Sequence, residues 1–142
     1  MIVIDACVAV KWFLKEVDSD KASLLLEQHA SEISVPELFS VEVLAALVRN
    51  SNIHKRAVPE MRESAFAFAG IIAGSRLAVI PATPGRLLVA FEQAIAIGHP
   101  LKDCIYLALA MELGCPLVTA DTRFAAKARG VYGDVRVLGE AT

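Results

Sequence analysis

Four acidic residues, far apart along the chain, lie in positions from which carboxylates could act together. Asp5 and Asp121 each follow a short apolar run, whereas Glu42 lies inside a stretch with helical spacing and Asp103 at the start of another. Carboxylates that converge in a partly dry crevice repel one another and raise each other's pKa. A divalent cation removes that repulsion, so the four acids together predict a metal site.

The residue types also predict which metal binds and what it does. Oxygen ligands without a cluster of His or Cys favour hard ions such as Mg²⁺ or Mn²⁺. Such an ion polarises a phosphoryl oxygen and activates water, so the predicted chemistry is hydrolysis of a phosphate ester. We predict that Asp5, Glu42, Asp103 and Asp121 are all catalytic. Asp5, Asp103 and Asp121 are the predicted metal ligands.

Each acid also has a simpler interpretation. Aspartate is a favoured residue at helix N-termini, so Asp5, Asp103 and Asp121 could each cap the helix that follows. Glu42 lies just beyond the apolar stripe that we assign to the buried face of its helix, and Arg49 could neutralise it. That stripe consists of Leu38, Val41, Leu44, Ala45 and Val48. The histidines share no common spacing, and we expect them in solvent: His29, His54 and His99.

The elements that must position these acids alternate between strands and helices. The predicted strands span residues 2–4, 33–35, 77–80, 116–119 and 135–138, and helices fill the segments between them. This alternation predicts a single α/β domain over residues 1–142, in three layers, with a mostly parallel sheet of about five strands and helices on both faces. If the first and fourth strands are neighbours, Asp5 and Asp121 face the same crevice.

Composition limits the possible partners and the compartment. Net charge is −2 and the pI is about 5.9, so the basic surface that is usual in nucleic-acid binders is absent overall. An apolar fraction of 56% and a mean hydropathy of +0.53 predict a subunit or partner interface, which we place on the helix carrying residues 66–72 and on the first helices. No run has the roughly 20 apolar residues of a membrane span. We expect a cytoplasmic protein without a signal peptide, with reduced thiols and no membrane contact.

Four segments, in order, give the sequence a resemblance to the PIN-domain ribonucleases of the VapC toxin type. They are residues 3–13, 35–42, 103–110 and 117–121, and each contains one of the acids. The resemblance implies a PIN-like fold and an acidic quartet of Asp5, Glu42, Asp103 and Asp121, with Asp5 and Asp103 as the most direct metal ligands. It also implies cleavage of RNA with Mg²⁺ or Mn²⁺, a homodimer, and inhibition by a small VapB-like antitoxin.

The sequence departs from that family at two places. Cys7 stands where the family usually has Ser or Thr, and a thiol is a weaker hydrogen-bond donor that would orient Asp5 less firmly. Ala45 and Ala46 stand where an Asn is common, so one polar contact near Glu42 is missing.

Two other functions remain open from the sequence. A binding module with an inactive site is compatible with Cys7. A phospho-acceptor domain would use a similar sheet, but it needs a pair of acids after the first strand and a Lys after a late strand. Asp5-Ala6 supplies one acid, and the last strand ends in Leu138-Gly139.

Overall fold

A five-stranded parallel sheet forms the centre of the computed structural model, which describes residues 1–140. The strands are β1 (Ile2–Ile4), β2 (Ile33–Pro36), β3 (Leu77–Ile80), β4 (Leu117–Thr119) and β5 (Val135–Val137). Their order is β3-β2-β1-β4-β5, and every neighbouring pair is parallel. The predicted α/β fold with helices flanking a parallel sheet is confirmed.

Seven helices connect the strands. They are α1 (Ala6–Val10), α2 (Ser19–Gln28), α3 (Leu38–Ile53), α4 (Val58–Ala73), α5 (Pro84–Ile97), α6 (Leu101–Leu113) and α7 (Thr122–Ala128), with a 3₁₀ turn at Lys55–Ala57. The Thr83 side chain caps α5 by accepting from the Arg86 amide. Gly98 and Gly114 end α5 and α6 with φ of 64° and 62°, a conformation that glycine adopts without strain.

The strand order decides where the acids meet. β1 pairs with β4, with Val3 opposite Leu117 and Ile4 opposite Val118. From β1 the chain continues to one side of the sheet, and from β4 to the other side. The two central strands therefore end together at the switch point, where open α/β sheets bind ligands. The condition that the first and fourth strands are neighbours is therefore met.

The core surrounds these central strands. All residues of β1, β2 and β4 are buried, as expected for strands covered on both faces. Helix α6 packs against all three strands, and the run from Tyr106 to Ala110 is buried. This packing fixes α6, and with it Asp103 and Tyr106, relative to the end of β1.

The buried face of α3 differs from the predicted one. Its buried residues are Phe39, Val43 and Leu47, whereas Val41 and Val48 of the predicted stripe are 67% and 58% exposed. Helix α3 carries apolar residues on most sides, so periodicity alone does not select one face. Packing against α1 and α4 selects the face with the large Phe39 ring, which meets Phe68 of α4.

Smaller differences concern other helices. In α2 the sequence predicts Leu24, Leu25 and Leu26 toward the core; Leu25 is buried and Leu26 partly buried, but Leu24 is half exposed. The sequence predicts that α3 ends near Asn50 and that a turn follows at residues 51–55, but the helix continues to Ile53. Within the described residues no single helix is long and apolar enough to cross a membrane; the strongly bent pair α5–α6 meets the length and composition criteria only when counted together.

Candidate metal centre

A pocket of about 270 Å³ at the carboxyl ends of β1 and β4 contains all four predicted acids. They come from four places in the chain: the end of β1, helix α3, the first turn of α6 and the loop after β4. Glu16, Arg49 and Lys102 also line the pocket, so five carboxylates stand against two cations. The fold thus creates the concentration of negative charge that the sequence predicted.

Asp5 is the buried member of the group, with 4% of its surface exposed. It occupies the N-cap position of α1, but its side chain makes no capping hydrogen bond. Instead Oδ2 accepts a hydrogen bond from the Thr119 hydroxyl at 2.9 Å. Burial, and then the nearby Asp103 carboxylate, raise the pKa of Asp5 to about 6, although the Thr119 hydrogen bond lowers it. Asp5 is therefore a carboxylate whose charge is unfavourable without a cation.

Asp121 follows β4, and its side chain has a structural role. Its Oδ1 accepts from the Phe124 amide at 3.0 Å and caps α7, while the residue remains exposed at the pocket. The capping interpretation and the pocket position therefore both hold for Asp121.

Cys7 takes part in the same network. Its Sγ accepts from the Ala120 amide at 3.3 Å and lies 3.5 Å from the Thr119 hydroxyl oxygen. Burial, followed by the charge of Asp5, raises the pKa of Cys7 to about 12. The thiol therefore stays protonated and acts as a hydrogen-bonding group rather than a nucleophile.

Asp103 does not cap its helix. Helix α6 begins two residues earlier, at Leu101, and its N-cap is Pro100. The Asp103 carboxylate instead lies 2.6 Å from Nε2 of His99. Asp103 therefore makes no cap, but it lies in the first turn of α6, where the helix dipole favours an acid as the simpler interpretation expected.

His99 is not in solvent, contrary to the prediction. Its side chain is 9% exposed, and its ring stacks on Phe124 with the centroids 4.8 Å apart. The loop before α6 places the imidazole against α7. This contact therefore joins segments that are distant in sequence. The spacing of four residues between His99 and Asp103 was the one local signal of the pair.

Glu42 uses both carboxylate oxygens within the protein. Its Oε1 accepts from the Tyr106 hydroxyl at 2.8 Å, and Oε2 lies 3.2 Å from Nζ of Lys102. Lys102, rather than the predicted Arg49, is its ion-pair partner. Burial, with the Glu42 charge, raises the pKa of Tyr106 well above its ordinary value, so the phenol remains a donor. Sequence reasoning missed Tyr106 because one buried aromatic residue on an apolar helix gives no signal of this contact.

The three aspartates offer the oxygen donors that a divalent cation prefers. Among residues 1–140, however, donor atoms within 4.8 Å of one another belong to Asp103, Asp121 and His99, and Asp5 lies outside that group. In each of the three aspartates one oxygen is held by the protein, whereas the other accepts from no N–H or O–H group within residues 1–140. The oxygens without such a donor are Oδ1 of Asp5, Oδ1 of Asp103 and Oδ2 of Asp121, and the Asp5 carboxylate also has a hydrogen bond with the Cys7 thiol. Hard ions prefer ligands of this kind, fixed at one oxygen and open at the other. Glu42 lacks an open oxygen and fits an orienting role.

Comparison with known proteins identifies a family and similar folds. The sequence matches the PIN domain family over residues 2–130. The fold is similar to VapC20 of Mycobacterium tuberculosis, described as a toxin that cleaves the sarcin–ricin loop, with 17% identity, coverage of 89% of this chain and 94% of that chain, and a TM-score of 0.68. It is also similar to a toxin–antitoxin complex from Klebsiella pneumoniae, with 17% identity, 95% coverage of both chains and a TM-score of 0.65.

A third similar structure is PAE2754 from Pyrobaculum aerophilum, with 19% identity, coverage of 95% of this chain and 89% of that chain, and a TM-score of 0.64. The sequence has no match among curated proteins. At these identities the solved structures establish a shared fold.

Proposed function

Because this chain belongs to the PIN domain family, we propose that it is a metal-dependent endoribonuclease, the toxin of a VapBC-type toxin–antitoxin pair. One observation carries the proposal: three aspartates in one pocket each have one oxygen anchored by the protein and one without an N–H or O–H donor. The family assignment favours this function over a phospho-acceptor domain.

Asp5, Asp103 and Asp121 would hold Mg²⁺ or Mn²⁺. A divalent ion bound there supplies a Lewis acid that polarises the scissile phosphate and makes water a better nucleophile. Thr119 fixes the orientation of Asp5, and the capping contact with Phe124 fixes that of Asp121. Because these contacts exist in the folded chain, the ligands need little rearrangement when the ion binds.

The two basic side chains that line the pocket would contact the substrate. RNA is a polyanion, and five carboxylates repel it unless positive groups lie nearby. Lys102 is 59% exposed at the pocket, and Arg49, which has no ion pair within residues 1–140, lines the same space. We assign both to contacts with phosphates that flank the cleaved bond. Glu42 then acts as a positioning residue, since it holds Lys102 and Tyr106.

The partners follow from the same assignment. The similar Klebsiella structure is a complex with an antitoxin, which supports a small VapB-like partner that covers the acidic pocket. A homodimer would cover exposed apolar side chains of α5, among them Leu88, Phe91 and Ile95. The sequence analysis predicted part of the interface on α4, where Phe66 is 82% exposed but Phe68 is buried. We propose a cytoplasmic location, because an RNA substrate and an antitoxin partner would both be met there.

The direct test is cleavage of RNA by purified protein with Mn²⁺ or Mg²⁺. Substrates should include unstructured RNA and a sarcin–ricin hairpin, because VapC20 is described as cleaving that loop. We expect cleavage by the wild type that leaves a 5′-phosphate and stops with EDTA. Asp103→Asn should be inactive, and the exposed Asp20→Asn should be fully active as a matched control.

Equal cleavage by the wild type and Asp103→Asn would identify a contaminating nuclease and remove the support for this function. Metal binding without cleavage of any RNA would favour a binding module. Sequencing the adjacent open reading frame tests the toxin assignment, since a short upstream gene with a DNA-binding front half is expected.

A further inference from the structure

We propose that His99 is a positioning residue for Asp103: its Nε2–H donates to Oδ2 of Asp103 and leaves Oδ1 available to the cation. This role rests on the proposed metal site. His99 is outside the acidic set that the sequence predicted, and it is neither a metal ligand nor a substrate contact in this assignment.

The imidazole is held in place from several sides. The distance from its Nε2 to Oδ2 of Asp103 is 2.6 Å, and only 9% of its side chain is exposed. Its ring stacks on Phe124 with an interplanar angle of 24°. The preceding residue, Gly98, accepts from Nζ of Lys127 at 2.9 Å, which ties the loop to α7. A side chain fixed in this way can fix the carboxylate that it contacts.

The second ring nitrogen decides which role the histidine has. Nδ1 of His99 is buried and has no hydrogen-bond partner among residues 1–140. A hydrogen on Nδ1 would therefore be a buried donor without an acceptor, which is unfavourable. The favoured tautomer carries its hydrogen on Nε2, where the Asp103 carboxylate accepts it. Nε2 then has no lone pair to give to a metal.

The alternative, a mixed nitrogen and oxygen metal site, has some geometric support. Donor atoms of His99, Asp103 and Asp121 lie within 4.8 Å of one another. However, a histidine that binds a metal through one nitrogen almost always donates its other N–H to an acceptor. His99 lacks that acceptor, so the structure assigns it to the outer shell of the site.

The consequence concerns metal affinity. Without the imidazole donor, Asp103 can rotate, or pair with the neighbouring Lys102, and its open oxygen is no longer directed by the protein. Loss of an outer-shell partner of a metal ligand typically lowers metal affinity about 10- to 100-fold. The same loss is expected here for Mn²⁺.

Two variants separate the hydrogen bond from packing. His99→Gln retains an amide N–H at the end of a side chain of similar reach, whereas His99→Leu fills space without a donor. Titration calorimetry with Mn²⁺ should show a dissociation constant near the wild-type value for His99→Gln. For His99→Leu we expect it to be about 10- to 100-fold higher. Melting curves without metal check that both variants fold.

Equal Mn²⁺ affinity of wild type and His99→Leu would overturn the role of His99 and leave the metal site intact. If the wild type binds no Mn²⁺ at all, the proposed site itself is wrong, and this role falls with it. Pulsed electron paramagnetic resonance of Mn²⁺ on the wild type needs no variant. We expect no coupling from a directly bound ¹⁴N; such a coupling would make His99 a ligand and overturn the positioning role.

Discussion

The hydroxyl group of Thr119 links Asp5 to Asp121. Thr119 Oγ1 donates to Oδ2 of Asp5 at 2.9 Å and accepts from the Asp121 amide at 3.1 Å. Thr119 is fully buried and is the last residue of β4, beside β1. One side chain therefore sets the positions of two acids that are more than 100 residues apart.

Thr119→Val should disturb both acids while keeping the shape of the side chain. It leaves the buried Asp5 carboxylate and the Asp121 amide without this partner, which we expect to lower the free energy of unfolding by about 1–3 kcal/mol. The pKa of Asp5 should rise further, because the Thr119 hydrogen bond lowers it. Urea unfolding measures the first effect. Thr119→Ser, which keeps the hydroxyl, should lose much less, and an equal loss would assign the effect to the methyl group.

The raised pKa of Asp5 predicts how the stability of the metal-free protein depends on pH. The folded pKa is about 6, against an ordinary value of 3.8, so between these values the folded state binds more protons than the unfolded state. The free energy of unfolding contributed by Asp5 therefore falls as pH rises through this window, by about 3 kcal/mol in total. The measurement is urea unfolding from pH 3.5 to 7.5 for wild type and Asp5→Asn. A difference between the two proteins that does not change with pH would contradict the assignment.

Metal binding should offset that unfavourable charge. At pH 7.5 we expect Mn²⁺ to raise the melting temperature of the wild type, because an ion that binds the folded state alone stabilises it. At a Mn²⁺ concentration 100 times the dissociation constant the gain is about 2.7 kcal/mol. Asp103→Asn should show no such shift, and Asp20→Asn should behave like the wild type. A similar shift in all three proteins would indicate binding elsewhere.

Glu42→Gln tests whether Glu42 orients its neighbours or binds the metal. Both of its oxygens are engaged, by Tyr106 and Lys102. We expect RNA cleavage to fall about tenfold, because Lys102 loses its charged partner, while Mn²⁺ affinity stays within about threefold of wild type. Steady-state kinetics and calorimetry give the two values. A loss of Mn²⁺ affinity as large as that of Asp103→Asn would make Glu42 a ligand.

The exposed apolar face of α5 predicts self-association. Leu88, Phe91 and Ile95 lie on one side of the helix and are 66%, 51% and 64% exposed. Sedimentation at micromolar concentration should give a dimer for the wild type and a monomer for the double variant Leu88→Glu/Phe91→Glu. The exposed Asp20→Asn on α2 is the control and should remain dimeric. A wild-type monomer would contradict this use of the surface.

Much of the fold followed from local patterns. The apolar runs of β1 and β4 act over a few residues, and the strands that they form were predicted correctly. Helix α3 was predictable from its spacing, but its buried face was not, because apolar residues lie on most of its sides. The burial of His99 was also not predictable, since it depends on Phe124, which lies 25 positions away and reaches the ring only in the folded chain.

The sequence by itself determined which groups can carry charge and which segments become strands and helices, because residue chemistry and backbone preferences are local properties. It therefore identified Asp5, Glu42, Asp103 and Asp121 as candidates. The tertiary structure alone decided which side chain contacts each acid. Thr119 donates a hydrogen bond to Asp5, the His99 ring contacts the Asp103 carboxylate, and Lys102 forms an ion pair with Glu42. Such pairings depend on the distances between elements, and packing of the whole chain sets those distances.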